Sequence, residues 1–573
     1  MMEDKQGGEA SDADETGAAS LLSGLRRAGI THMFSNSGTD FPPIIEALAA
    51  LPAEDRPEAV LVPHETAGVA MAHGWYLVTG QPQAAIVHVN VGLANSVMGL
   101  INAASDDVPV VMMSGRTPIT ESGRPGGRVS PIQYGQEMYD QSAMVAEVCK
   151  FRYEMRYPEQ GAQLAARAVS LARAVPPGPV YLSLPREPLM EPVPPDAVRP
   201  APPAPVTPPA PDPRAIATLA GWIAEARAPL ILAQRGDTGG RVGRALADLA
   251  NQHALAAVEP FVVRNVLASD HPMLQGHLPG PAIAEADLII VLDSGVPWIE
   301  GPHRPKNGQR IVHIGPDPQF RRMPIRGYQS DLSVISDAAL AIEALAAALP
   351  QPTAQVAARH DRLARASAAR RAAALQKAQA GAGAPMSAEW LSYCLGEAMD
   401  DTAVVFSELG VQAGFMRLKG PNRLFSNPHS GGLGWALPAA LGAQMADRDR
   451  LVMACVGDGS YMFANPVACH QIAEAQTLPL LTVVKNNNSW NAVRRAVLGS
   501  YPDVAAAKAN QVPLTSLAPL PDLAMIARAS RAHVERVTRG EDLPGALARA
   551  IRVIRTERRQ TFLEVTVGIS DDH

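Results

Sequence analysis

The chain has 573 residues, 47% of them hydrophobic, and a net charge of −6, so it is too long for one core and divides into three or four domains of ordinary size. Acidic and basic residues are interspersed without a basic stripe, which argues against nucleic acid as a partner. Apolar runs fall short of the roughly 18 residues of a spanning helix, and Cys149, Cys394, Cys455 and Cys469 lack metal-ligand spacing; together these predict a cytoplasmic protein with reduced thiols and no membrane segment.

Residues 1–17, MMEDKQGGEASDADETG, read as a disordered polar tail. In the first block, 18–190, the runs AAIVHV and VPVVMMSG flank a helical pattern. SNSGTDFPPI sets Asn36 and Thr39 in a small polar loop after an apolar run. LVPHETAGVAMAHGWYLVTG puts Glu65 where a strand gives way to a helix, so its carboxylate either meets the helix dipole or enters a site. His88 follows a strand in VHVNVGLANS, and Gln136 and Glu137 lie in PIQYGQEMYDQ.

Residues 191–213 hold so much proline that they form a stiff, extended linker. The central block, 214–350, repeats the strand theme in APLILAQ, ADLIIVLDSG and QRIVHIGPDP, and carries His303. Its ILAQRGDTGGR lacks a dinucleotide fingerprint, so FAD is not expected. Residues 351–385 are an Ala/Arg-rich helical linker that ends at AGAGAP. The last block, 386–573, contains AVVFSE, LVMACVGDGS and LPLLTVVKNNNSW. Short apolar runs alternating with helical patterns in all three blocks predict an α/β protein of three doubly wound parallel-sheet domains.

Open parallel sheets bind ligands beyond the carboxyl ends of their strands, and GDGS and NNNSW both sit at such ends. Gly457 and Gly459 let the backbone turn tightly and approach a ligand. Asp458, the amide oxygen of Asn487 and a carbonyl near Ser489 supply hard oxygen donors of the kind Mg²⁺ takes beside a diphosphate. A helix beginning near Ser460 offers its first N–H groups to the same anion. Each motif alone is also an ordinary turn or loop.

GDG, then 26 residues from Ser460 to Lys485, then NN is similar to the thiamin diphosphate signature. From about Leu21 to Val567 the chain resembles the thiamin diphosphate-dependent decarboxylase and carboligase family, which includes acetolactate synthase, benzoylformate decarboxylase and pyruvate decarboxylase. That resemblance implies pyrimidine-binding (18–190), central (214–350) and diphosphate-binding (386–573) domains. It also implies thiamin diphosphate and Mg²⁺ as cofactors, a 2-oxo acid substrate, and a homodimer or homotetramer with active sites at the subunit interface.

By the same resemblance, Glu65 bonds the cofactor's pyrimidine and drives its imino tautomer. In SNPHSGGLGWALPAALGAQ, Gly432 admits the cofactor and Leu433 props it into a V shape. Gly457, Asp458, Gly459, Ser460 and Asn487 hold the diphosphate, with Asp458, Asn487 and Ser489 on the metal. His88 aligns with a histidine loop of benzoylformate decarboxylase and is either a proton carrier or a structural strand histidine. Thr39 matches that enzyme's catalytic serine, Gln136 resembles a glutamine of acetolactate synthase, and His303 lies out of register with a second histidine. Arg494 and Arg495 stand where acetolactate synthase has a glutamine- and tryptophan-bearing helix. The implied function is decarboxylation of a 2-oxo acid through an enamine, like benzoylformate decarboxylase. The alternative is acetolactate synthase-like joining of that enamine to a second carbonyl. A non-catalytic cofactor-binding homologue is a third possibility, which the presence of Glu65 opposes.

Overall fold

A computed structural model describes residues 15–198, 201, 203–501, 505 and 512–569. The β-branched apolar runs form strands covered on both faces, as buried parallel sheets require. In the first domain these are β1 (His32–Ser35), β2 (Glu58–Leu61), β3 (Gln83–Val87), β4 (Val110–Arg116), β5 (Arg152–Glu154) and β6 (Val180–Pro185). The central domain has β7 (Pro229–Ala233), β8 (Ala256–Val258), β9 (Leu288–Leu292), β10 (Arg310–Gly315) and β11 (Leu332–Ile335). The last has β12 (Val404–Glu408), β13 (Leu424–Ser426), β14 (Val452–Gly457), β15 (Leu481–Asn486), β16 (His533–Val537) and β17 (Thr561–Thr566).

The sheets run β2-β1-β3-β4-β6-β5, β11-β10-β9-β7-β8 and β13-β12-β14-β15-β17-β16. Every pairing among these strands is parallel. Counted from its own first strand, the last sheet repeats the order of the first. Strand order reverses between β1 and β3, and again between β12 and β14. Such reversals open a crevice at the carboxyl ends of the strands, the place where open sheets bind ligands.

The outer domains are joined by two helices. Glu65–Thr79 packs across Ala436–Ala446 with glycines at the contact: an added Cβ would lie 1.9 Å from the Ala439 carbonyl oxygen at Gly74 and 2.0 Å from the Met71 carbonyl oxygen at Gly442. Around this contact Phe34, Met71, Trp75, Phe406 and Trp435 share one apolar core.

Two expected boundaries shift. Thr16 Oγ accepts a 3.2 Å hydrogen bond from the Ala19 N–H, capping the helix Gly17–Arg27, and the Thr16 backbone forms an antiparallel bridge with Pro192. Residues 15–17 and 191–192 therefore belong to the first domain, while 1–14 lie outside the described residues. At the other end of the linker, Pro213 already opens the helix Pro213–Glu225 behind an Asp212 cap. The Ala/Arg segment is the helix Ala354–Ala380, and its Arg359 donates to the carbonyls of Ala254, Ala226 and His253, each at 2.9 Å. Among the described residues no helix is long and apolar enough to cross a membrane.

Candidate active site

The β12/β14 crevice holds the first constellation. Gly457 is extended, with φ −66° and ψ 158°, and hands the chain to the helix Asp458–Phe463. That helix begins at Asp458 itself, not near Ser460, because Asp458 already has helical geometry once the strand ends. Asp458 Oδ1 accepts from the Gly459 N–H at 2.8 Å and Oδ2 from the Asn487 N–H at 3.1 Å. Burial pushes the Asp458 carboxyl upward, and the N–H groups of Gly459, Asn487, Asn488 and Ser489 pull it back. Asn487 Oδ1 accepts from the Ser489 N–H at 3.1 Å, and the Ser489 carbonyl accepts from the Asn491 N–H at 2.8 Å. An added Cβ at Gly459 would lie 2.2 Å from the Trp490 ring, so only glycine fits that turn.

A cavity of about 260 Å³ opens above these groups, lined also by Ser460, Gln412, Lys485 and Arg495. Burial lowers the pKa of Lys485. Among the described residues no three His, Cys, Asp or Glu side chains cluster as metal ligands. A metal here takes one carboxylate plus neutral oxygens, and the Asp458, Asn487 and Ser489 oxygens, each with a lone pair to spare, suit Mg²⁺. The helix start and the two cations suit a diphosphate. The residues present fit a magnesium diphosphate.

Glu408, the buried last residue of β12, escaped the sequence reading. It accepts from the N–H groups of Gly434, Trp435 and Ala436 at 2.7, 2.7 and 2.9 Å, capping the Ala436–Ala446 helix. Burial raises its pKa and these bonds oppose the rise. The same loop carries half-buried Leu433. Its Gly434 has φ +84° and an ideal Cβ 2.5 Å from the Phe463 carbonyl oxygen. On the other side, Asn102 of the helix Val89–Ser105 donates to the Gly432 carbonyl at 2.9 Å and accepts from the Gly432 N–H at 3.2 Å.

The β1/β3 crevice holds the second constellation. His88 stands between the end of β3 and the Val89–Ser105 helix, Asp40 lies in the loop after β1, and His88 Nδ1 bonds Asp40 Oδ1. Asp40 Oδ2 also accepts from the Val89 N–H at 3.3 Å. Space is made by Gly38, whose added Cβ would lie 2.1 Å from His88 Nδ1, and Gly115, whose Cβ would lie 1.5 Å from Asp40 Oδ2. Val89 itself has φ +28°, backbone strain beside the histidine. The Asp40 hydrogen bond raises the His88 pKa; burial opposes this, and the charges of Asp40 and Glu65 add to it.

Gln136 completes a chain, with its amide 3.0 Å from His88 Nε2. The amide nitrogen donates to a neutral ring, and after a flip the oxygen accepts from a protonated one. Its neighbour Glu137 is clasped by Arg116 at 2.7 Å, Thr117 at 2.9 Å and Arg128, which fixes the loop. Glu65 is the first residue of its helix and accepts from Asn95 Nδ2 at 3.2 Å.

Other candidates fall elsewhere. Thr39 sits exposed in the turn, and its neighbour Asp40 meets the histidine instead. Asn36 Nδ2 donates to the Val62 carbonyl at 2.8 Å, tying two strand ends together. His303 packs beside Gly280 in the central domain and does not line the Asp458 cavity. Arg495 lines that cavity whereas Arg494 does not. The lining runs from Ala388 to Gly568, so Glu65, His88 and Gln136 form a separate group in the single chain.

Known proteins with this organisation match domain by domain. Three thiamine pyrophosphate enzyme models align in order: the N-terminal TPP binding domain over residues 15–144, the central domain over 216–345 and the C-terminal TPP binding domain over 409–565. The "Probable 2-ketoarginine decarboxylase AruI" of Pseudomonas aeruginosa is 27% identical over 456 residues, 77% of this chain and 77% of that protein. The acetolactate synthase large subunit of Parasynechococcus marenigrum is 26% identical over 576 residues, 95% of this chain and 87% of its own. The crystal structure of benzoylformate decarboxylase from Polynucleobacter necessarius shares the fold, with a TM-score of 0.76 at 21% identity over 97% of this chain and 99% of that one. Matched in sequence along all three of its domains, the chain belongs to the thiamine pyrophosphate enzyme family and is a thiamin diphosphate-dependent enzyme.

Proposed function

We propose that the protein decarboxylates a 2-oxo acid, using thiamin diphosphate and Mg²⁺ bound between two copies of the chain. The observation that carries this is the Asp40–His88–Gln136 chain in a strand-end crevice, an imidazole held toward its protonated form beside Glu65. When bound, thiamin diphosphate supplies a carbon nucleophile that adds to the keto group and takes up the electron pair left by carbon dioxide. Asp458, Asn487 and the Ser489 carbonyl would hold the metal, and Leu433 would give the cofactor an apolar support. Glu65 exchanges a proton with the pyrimidine nitrogen from a carboxyl oriented by the Asn95 amide. His88 delivers a proton from Nε2 to the nascent product, favouring an aldehyde over condensation. Gln136 orients that N–H and releases it by rotation of its amide.

A second copy supplies the missing half of each site. The exposed apolar side chains Val91 and Ile101 on the Val89–Ser105 helix, Phe463 at the end of the Asp458 helix and Val467 in the helix that follows support such a contact. Four free cysteines, three of them buried, suit action in the cytoplasm. Purified protein with both cofactors and a panel of aliphatic, guanidino and aromatic 2-oxo acids tests the proposal. Aldehyde equal to the carbon dioxide released is the expected result. A condensed hydroxyketone as main product would replace it with the carboligase reading, and absence of carbon dioxide across the panel would refute both.

A further inference from the structure

Lys485 is the penultimate residue of β15 and pairs in register with Gly457, immediately before Asp458. Strand alternation sets it on the face of Val483 and Cys455, members of the apolar core beneath. The residue stands over this apolar layer and lines the Asp458 cavity. A cation at a half-buried strand end is costly unless an anion meets it. Among the described residues Lys485 forms no salt bridge, and Asp458, with both carboxylate oxygens accepting from backbone N–H groups, is the one carboxylate of the cavity lining.

We infer that Lys485 is a direct anchor for the cofactor's diphosphate, so that the cavity keeps part of its diphosphate affinity when magnesium is absent. The inference rests on the cofactor placement proposed above. Magnesium offsets only part of the combined negative charge of a diphosphate and Asp458, and Lys485 stands within the same enclosure to offset more. A lysine serves here as a point charge, without the bidentate geometry of arginine. It thereby retains the anion while the metal exchanges.

The test measures thiamin diphosphate binding to the full-length protein by tryptophan fluorescence and equilibrium dialysis, with Mg²⁺ and again with EDTA. Wild type is compared with Lys485→Met and Lys485→Arg. In EDTA the Met variant is expected to bind about 10- to 100-fold more weakly than wild type, the scale of one charge-assisted hydrogen bond, while the Arg variant recovers most of the loss. With Mg²⁺ the gap shrinks to a few fold, by the same reasoning. Equal affinities in EDTA, or the same ratio with and without Mg²⁺, would overturn the proposal. In wild type, which needs no folding control, inorganic diphosphate must displace the cofactor in EDTA. Failure to do so also overturns it. If wild type does not bind thiamin diphosphate even with Mg²⁺, the cofactor placement itself falls, and the Mg²⁺ measurement separates that outcome from failure of Lys485 alone.

Discussion

The two constellations occupy the same topological position in two sheets of the same strand order, yet they are built from different materials. At the β12/β14 crevice the work falls to backbone and glycine: Gly457 and Gly459 set the turn, and N–H groups hold Asp458 and Glu408. At the β1/β3 crevice side chains dominate, with Asp40, His88 and Gln136 bonded in series and Glu137 clasped by two arginines. The first arrangement suits a group that stays put, because backbone dipoles are fixed and their cost is met on folding. The second suits atoms that change charge during a reaction, because only titratable side chains move protons.

The sharpest way to break this comparison is Glu65→Gln. Turnover should fall by about 10²- to 10⁴-fold, the range for a lost acid–base group, while cofactor affinity stays within a few fold. Near-normal turnover would remove Glu65 from the chemistry. Asp458→Ala should do the opposite, weakening Mg²⁺-dependent cofactor binding by at least about 100-fold, in line with losses at metal sites. Chelation of wild type should mimic it, as equilibrium dialysis will report. Asp40→Asn should produce the smallest change, about tenfold in kcat, together with a shift in pH profile. The Asp40 bond raises the His88 pKa, so activity that needs the imidazolium is full at lower pH and fades as pH rises through that raised value. Without the carboxylate the alkaline limb must move to lower pH, and an unmoved limb would dissociate the pair from catalysis.

Features confined to a few consecutive residues were legible from the chain alone. GDGS and NNNSW each combine a strand end with a turn, and the sheet does bring them together, with Asp458 Oδ2 accepting from the Asn487 N–H. The alternation of apolar runs likewise gave three parallel α/β domains. What escaped depends on strand order. Asp40 reaches His88 because β1 and β3 are neighbours, though 48 residues separate the pair. Thr39 drew attention only as its exposed neighbour. Glu408 at a strand end reads like an ordinary solvent-facing acid, and its role exists only once the Gly434 loop folds over it. Lys485 looks like a strand terminus until Gly457 is seen beside it.

The glycine-to-backbone seating of Glu65–Thr79 on Ala436–Ala446 leaves no compressible side chain at its centre. One of these helices begins at Glu65, and the other follows the loop that carries Leu433. In the proposed dimer those two ends serve different active sites, so each subunit acts as a rigid yoke across both. In such a dimer a tilt that tightened one site would be carried by this seating to the other.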